Sequence, residues 1–140
     1  MLNCPCESGK PYGTCCEVYH IGSPAPNAEA LMRSRYSAYA LALKNPTLIE
    51  YLLQTWHPDT RPQHLKLTGE DACKWMGLQI NRHQLIDKEH AIVAFVARYK
   101  FMHDLGGKAH RLHETSRFKR IENHWYYVDG DYSEPHNSPI

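Results

Sequence analysis

No apolar run in this 140-residue chain approaches the roughly 18 residues that a membrane-spanning helix needs, which argues against a helical span. The N-terminus lacks the basic and apolar regions of a secretory leader, so the expected compartment is the cytoplasm. Charge of one sign is also lacking. The formal net charge of +1 leaves no strong field to draw the chain to nucleic acid or to an anionic bilayer. There is no internal repeat and no low-complexity tract. Cysteine is scarce after the first 16 residues, where Cys73 stands alone, and the odd total of five fits a disulfide framework poorly.

What is present is ordinary globular material, 42% apolar and 22% charged, enough for one core and a short appendage. Residues 1–22 form a cysteine-bearing segment punctuated by Gly9, Gly13 and Gly22. Ser23-Pro24-Ala25-Pro26 reads as a short stiff linker, residues 27–131 as an α+β domain, and residues 132–140 as a C-terminal tail. Asn27 is placed to cap a helix running to about Lys44, and Asn45-Pro46 to open a second helix that ends at Trp56-His57-Pro58. Thr68 with Asp71 predicts a third helix over 69–76, closed by Gly77 and carrying Cys73 as an inert core thiol. Strands are predicted over 78–86, 91–101, 109–121 and 125–129, with Glu122-Asn123 as a two-residue hairpin loop. Helices followed by a meander of strands indicate an α+β layer fold, with helices on one face of a curved antiparallel sheet.

The chemistry concentrates at the N-terminus. Cys4 and Cys6 are separated by one residue, and Cys15 and Cys16 follow after eight more, giving two close pairs on a glycine-bearing loop. Zinc takes four tetrahedral ligands and favours thiolate sulfur, and clustered thiols in a reducing compartment read as metal ligands. So short a peptide cannot bury a core, so the metal must supply its folding energy. Four thiolates leave an excess of negative charge, which loop N–H groups and Lys10 are placed to offset. Chance clustering, a vicinal Cys15–Cys16 disulfide and a redox pair are the alternatives.

Cys4-Pro5-Cys6, Ser8-Gly9-Lys10, Tyr12 and Cys15-Cys16 resemble the SEC-C motif, the zinc-binding tail of the bacterial translocation motor SecA, with Glu7 where that motif usually has glycine. The likeness extends through Leu31-Met32-Arg33-Ser34-Arg35-Tyr36-Ser37-Ala38-Tyr39, Thr55-Trp56-His57-Pro58, Glu114-Thr115-Ser116-Arg117-Phe118 and Trp125-Tyr126-Tyr127-Val128-Asp129-Gly130. Together these resemble the YchJ-type family of bacterial proteins. The resemblance implies an NTF2-like cone, in which helices close over a curved sheet around a cavity, and it implies no reaction. Some relatives carry a second SEC-C copy near the C-terminus; residues 132–140 do not repeat the pattern.

Periodicity supplies the facing of side chains. Alternation puts Leu112, Glu114, Ser116 and Phe118 on one face of their strand, inward because Leu112 and Phe118 need burial. A two-residue turn at 122–123 makes Phe118 oppose Tyr127 and Ser116 oppose Asp129, so Tyr127 and Asp129 join the inner face. On the first helix Leu31, Met32, Tyr36, Tyr39 and Leu43 form an apolar stripe that includes Arg35, the natural partner of an inward carboxylate. Arg98 is a second candidate partner, and His57 is placed near the cone mouth. Two readings follow. One is a buried structural network of Arg35, Glu114, Asp129 and tyrosine hydroxyls. The other is a pocket lined by Arg35, Tyr39, Arg98, Ser116 and Tyr127, with Glu114 or Asp129 as general base and His57 as acid or base. For the whole chain the expected role is a zinc-binding interaction or adaptor protein. Its knuckle docks a protein partner, and its cone is a scaffold or small-ligand pocket. The alternative is a small hydrolase or isomerase acting in the cone, an inference from fold alone. A net charge of +1 and a knuckle with one lysine, Lys10, argue against nucleic acid as the partner.

Overall fold

The computed structural model describes residues 2–132. Apart from Tyr132, the expected C-terminal tail lies outside the described residues. After a turn of 3-10 helix at Tyr12–Thr14, the chain forms α1 (Cys16–His20), α2 (Ala28–Leu41) and α3 (Leu48–Gln54). Four strands follow: β1 (Cys73–Leu85), β2 (His90–Phe101), β3 (His110–Ile121) and β4 (His124–Tyr132). They pair antiparallel in the order β1-β2-β3-β4, the expected meander.

Local chemistry accounts for most boundaries. The side chain of Asn27 accepts the Ala30 N–H at 2.8 Å, as an N-cap should. The helix stops at Leu41, three residues short of the expected end, so Leu43 leaves the apolar stripe and is 42% exposed. Asn45–Thr47 form a turn ahead of α3, which begins at Leu48. Glu122 and Asn123 both take positive φ, 49° and 69°, which a two-residue loop with the strand's own twist requires. The third helix does not form. Thr68 makes no side-chain cap bond, Gly69–Asp71 is a single 3-10 turn, and Cys73 opens β1 instead. Pairing of Cys73 with Phe101 and of Trp75 with Tyr99 satisfies the backbone across the sheet, where a short isolated helix could not.

One face of the sheet packs on α2. Val93, Phe95, Ala97 and Tyr99 of β2 and Leu112 and Phe118 of β3 meet Leu31, Met32 and Tyr36 there. Trp75 closes one end, with its ring against Tyr36, Tyr39 and Tyr99. The free edge of β4 is covered: Thr55–His57 lies parallel to Tyr127, which receives the His57 N–H and donates its own N–H to Thr55. The cysteine segment is not an appendage on a linker. Cys4, Cys6 and Cys16 belong to the same buried cluster as the sheet, and Ala25, within the expected linker, is itself buried.

Candidate metal centre and cone interior

The four N-terminal cysteines converge. Their sulfurs all lie within 4.8 Å of one another, with Cys6 to Cys15 at 3.6 Å and Cys15 to Cys16 at 4.0 Å. Tetrahedral ligation at about 2.3 Å per Zn–S bond requires sulfur–sulfur edges of about 3.8 Å, so this donor set fits such an ion. The 3-10 turn and α1 present the Cys15-Cys16 pair. The first pair is held by a loop in which Cys4 N–H donates to Lys10 O at 2.9 Å and Glu7 N–H to Cys4 O at 3.2 Å. Glu7 takes φ 62° there, the left-handed conformation that explains glycine as the usual residue. The hydrogen bond with Cys16, then that with Cys6, holds the Cys4 thiol well below its ordinary pKa, whereas the bond with Cys4 pushes Cys16 up. Free thiols in this cluster therefore share protons that a metal would displace.

Partners outside the cluster fix the sulfurs. Ser8 Oγ lies 3.1 Å from Cys15 Sγ, and Ser37 Oγ on α2 lies 3.4 Å from Cys4 Sγ. Arg33 donates to Cys6 O at 2.8 Å and pairs with Glu29, bringing a guanidinium to the cluster's edge, where Lys10 was the expected cation. His20 was not foreseen. Its Nε2–H donates to Ser34 O at 2.8 Å, so Nδ1 is free to accept from Tyr12 OH at 2.6 Å. Burial lowers its pKa, in keeping with a neutral ring. Glu7 Oε2 accepts the Leu78 N–H of β1 at 2.6 Å. Its signal in the sequence was the departure from glycine.

The cone interior contains part of the expected constellation. Arg35, Tyr39, Glu114, Ser116 and Tyr127 are all buried. Glu114 Oε2 accepts from Ser116 Oγ at 2.5 Å and Tyr127 OH at 3.0 Å. Gly130 opposes Ser116, and a methyl group there would run into the Glu114 carboxylate. Desolvation raises the Glu114 pKa more than these bonds and Arg35 lower it. The direct Arg35–Glu114 bridge is absent among the described residues. Arg35 instead donates to Leu52 O and Thr55 Oγ1, both at 2.7 Å, with its guanidinium 5.0 Å from the Trp56 ring and 4.8 Å from the Tyr127 ring. Arg35 Nη2, Glu114 Oε1 and Tyr39 OH find no partner among the described residues, a pattern that ordered water satisfies in protein interiors.

Three expected members lie elsewhere. A bulge after Arg117 makes Arg117 oppose Asp129 and Ser116 oppose Gly130. Asp129 is thereby turned to the outer face, where Arg117 holds it together with Asp131. Arg98 is exposed on the outer face of β2. His57 is buried, but its Nδ1 accepts the Asp59 N–H and its ring meets the edge of Tyr126, whose side chain is on the side of β4 away from Glu114. Cys73 is a core thiol as expected, though on a strand, and burial pushes its pKa up to about 11.

An NTF2-like α+β sheet with a four-cysteine knuckle packed against its first long helix defines a class. Residues 27–130 match the family model described as "YchJ, middle NTF2-like domain". A UPF0225 protein of Chromobacterium violaceum is 52% identical over 134 residues, covering 91% of this chain and 90% of that one. A UPF0225 protein of Bordetella pertussis is 51% identical over 131 residues, covering 91% of each. A SEC-C motif containing protein of Rhodopseudomonas palustris, solved in solution, superposes with TM-score 0.74 at 30% identity, covering 95% of this chain and 100% of that one. A second, from Psychrobacter arcticus, gives TM-score 0.70 at 28% identity, with 96% and 84% covered. The chain belongs to the YchJ-type family. No helix among the described residues is long and apolar enough to cross a membrane.

Proposed function

We propose that the protein is a zinc-dependent interaction module, with Cys4, Cys6, Cys15 and Cys16 holding one structural zinc and the knuckle surface docking a protein partner in the cytoplasm. The observation that carries the metal reading is the convergence of four sulfurs within 4.8 Å of one another. Four thiolates complete a tetrahedron and leave no position for water or substrate, which is the mark of a structural zinc. The docking reading is supported by apolar side chains at the knuckle's surface: Leu2 is 87% and Ile21 80% exposed. The cone supports this as a scaffold. Its inner face is lined by packed rings, and Asp129 and His57 are turned away from Glu114, so the hydrolase or isomerase alternative keeps one of its three candidate catalytic groups.

Elemental analysis of protein purified under reducing conditions is expected to give one zinc per chain, lost in a Cys15→Ser/Cys16→Ser variant. Recovery of a defined partner from lysate by wild type and not by that variant supports docking. Metal-free, folded protein with four titratable thiols in residues 1–22 overturns the metal reading. Identical pull-downs, together with a turnover abolished by Glu114→Gln in folded protein, overturn the module in favour of the enzyme.

A further inference from the structure

The outer face of the sheet carries two arginines, Arg98 and Arg111, that form no ion pair among the described residues. Arg98 on β2 and Arg111 on β3 are direct cross-strand partners, so their side chains leave the same face side by side. Like charges so placed destabilise a sheet unless something lies between them. The contrast is on the same strand and face: Arg117 is clamped by Asp129 and Asp131, whereas neither Arg98 nor Arg111 has an ion-pair partner among the described residues. The two arginines line a groove of about 680 Å³ that spans β1 to β3, with His113, Gln79 and Asn81 also on its walls.

The sequence places Arg98 as well as leaving it unpaired. Gly77 is its partner on β1, and a methyl group there would stand 2.8 Å from Arg98 Nη2 and 3.1 Å from Glu7 Oε2. Glycine thus opens the strand surface for the guanidinium to lie across it and reach Met76 O at 3.4 Å. Glu7, the one carboxylate in the groove lining, is engaged by the Leu78 N–H at the knuckle end. The remaining polar lining consists of two guanidinia, an imidazole and two amides.

We propose that this groove binds a small oxyanion, a phosphoryl or carboxylate group held between Arg98 and Arg111, with the imidazole and amides available to hydroxyls on the same molecule. Guanidinium forks match both groups in bidentate geometry. The groove borders the cysteine loop through Glu7, but its two guanidinia stand on β2 and β3 and do not depend on the zinc reading.

The test is titration of isotope-labelled full-length protein with inorganic phosphate and, separately, with malonate, at constant ionic strength, followed by amide and arginine side-chain NMR. Saturable shifts centred on Gly77, Gln79, Arg98, Arg111 and His113 are expected in at least one arm. Saturation by phosphate alone assigns a phosphoryl ligand, by malonate alone a carboxylate, and by both an oxyanion of either kind. Arg111→Ala, which removes an exposed side chain, is expected to weaken binding by about tenfold or more while leaving the rest of the spectrum in place. Shifts linear in both anions, or equal affinity in an Arg98→Ala/Arg111→Ala variant with a native spectrum, overturn the proposal.

Discussion

Glu114 shows how burial and pairing can part company in a single residue. Its position between Leu112 and Phe118 on a period-two face made its burial legible in sequence, because one strand face must enter the core as a set. The expectation that Arg35 balances it by direct contact fails because a helix and a strand share no register that sequence can supply. Arg35 donates to Leu52 O and Thr55 and lies over two aromatic faces, while Glu114 accepts from Ser116 and Tyr127. Glu114→Ala therefore leaves two buried hydroxyls without an acceptor, at about 1–3 kcal/mol, instead of stranding a cation. Glu114→Gln keeps an acceptor oxygen and should cost less. The pH dependence separates the two states of the carboxyl. Its folded pKa is raised above the ordinary 4.5, so its contribution to stability is fully present below pH 4.5 and is lost as pH rises through the folded value. Chemical denaturation across that interval is expected to show wild type losing stability relative to Glu114→Gln as pH rises; parallel curves would mean that the carboxyl is not desolvated in the folded state.

Among the elements, α1 and β1 are where local sequence signals were weakest and tertiary contacts decided the structure. The stretch 69–76 carries a capping-box pattern, yet after a single 3-10 turn at Gly69–Asp71 it continues from Cys73 as the start of β1, because Phe101 and Tyr99 offer it a partner strand. Asp129 was misplaced for a related reason: a bulge after Arg117 reverses every facing beyond it, and Gly130 is the one residue in Tyr126–Gly130 that hints at it. The two central strands and the hairpin at Glu122-Asn123 were legible because alternation and turn chemistry agree there. Helix α1 has five residues, too few to be stable alone, and it is held through His20 between Tyr12, Ser34 and the edge of the Tyr51 ring. Burial is the largest cause of the lowered His20 pKa; the Ser34 carbonyl, Cys4 and Glu17 oppose it and do not prevail. A depressed histidine stabilises the fold above its unfolded value near 6.5, and that contribution is lost as pH falls from there through the folded pKa. His20→Gln should lower stability at pH 7.5 and flatten the profile as pH falls below about 6.5. An unchanged slope in that window would place the imidazole in water and remove the clamp.

At the scale of the whole molecule the question is whether knuckle and cone are one cooperative unit. In the sequence, Pro24 and Pro26 at the join and the few apolar residues before it point to two units that unfold separately. The contacts argue for one. The cysteine sulfurs share the buried cluster of the sheet, Cys4 meets Ser37, Arg33 holds the Cys6 carbonyl, His20 holds the Ser34 carbonyl, and Glu7 reaches the backbone of β1. Most of these contacts fall on α2 from Arg33 to Ser37, the stretch that carries Tyr36 and Arg35 into the core. What ties the parts is thus the clustered cysteines together with Glu7 and His20, which is why a count of ordinary apolar side chains in 1–22 could not reveal it. If zinc organises the loop, its removal withdraws support from α2 as well. Hydrogen exchange of the zinc-loaded protein before and after chelation is expected to show protection lost in residues 4–20 and reduced by at least about tenfold at amides of α2 between Leu31 and Tyr39. The centre of β2 and β3, held by pairing on both sides, should retain most of its protection. Loss confined to residues 4–20, with α2 unchanged, would restore the picture of two independent units and leave the packing of the cysteines on α2 without energetic consequence.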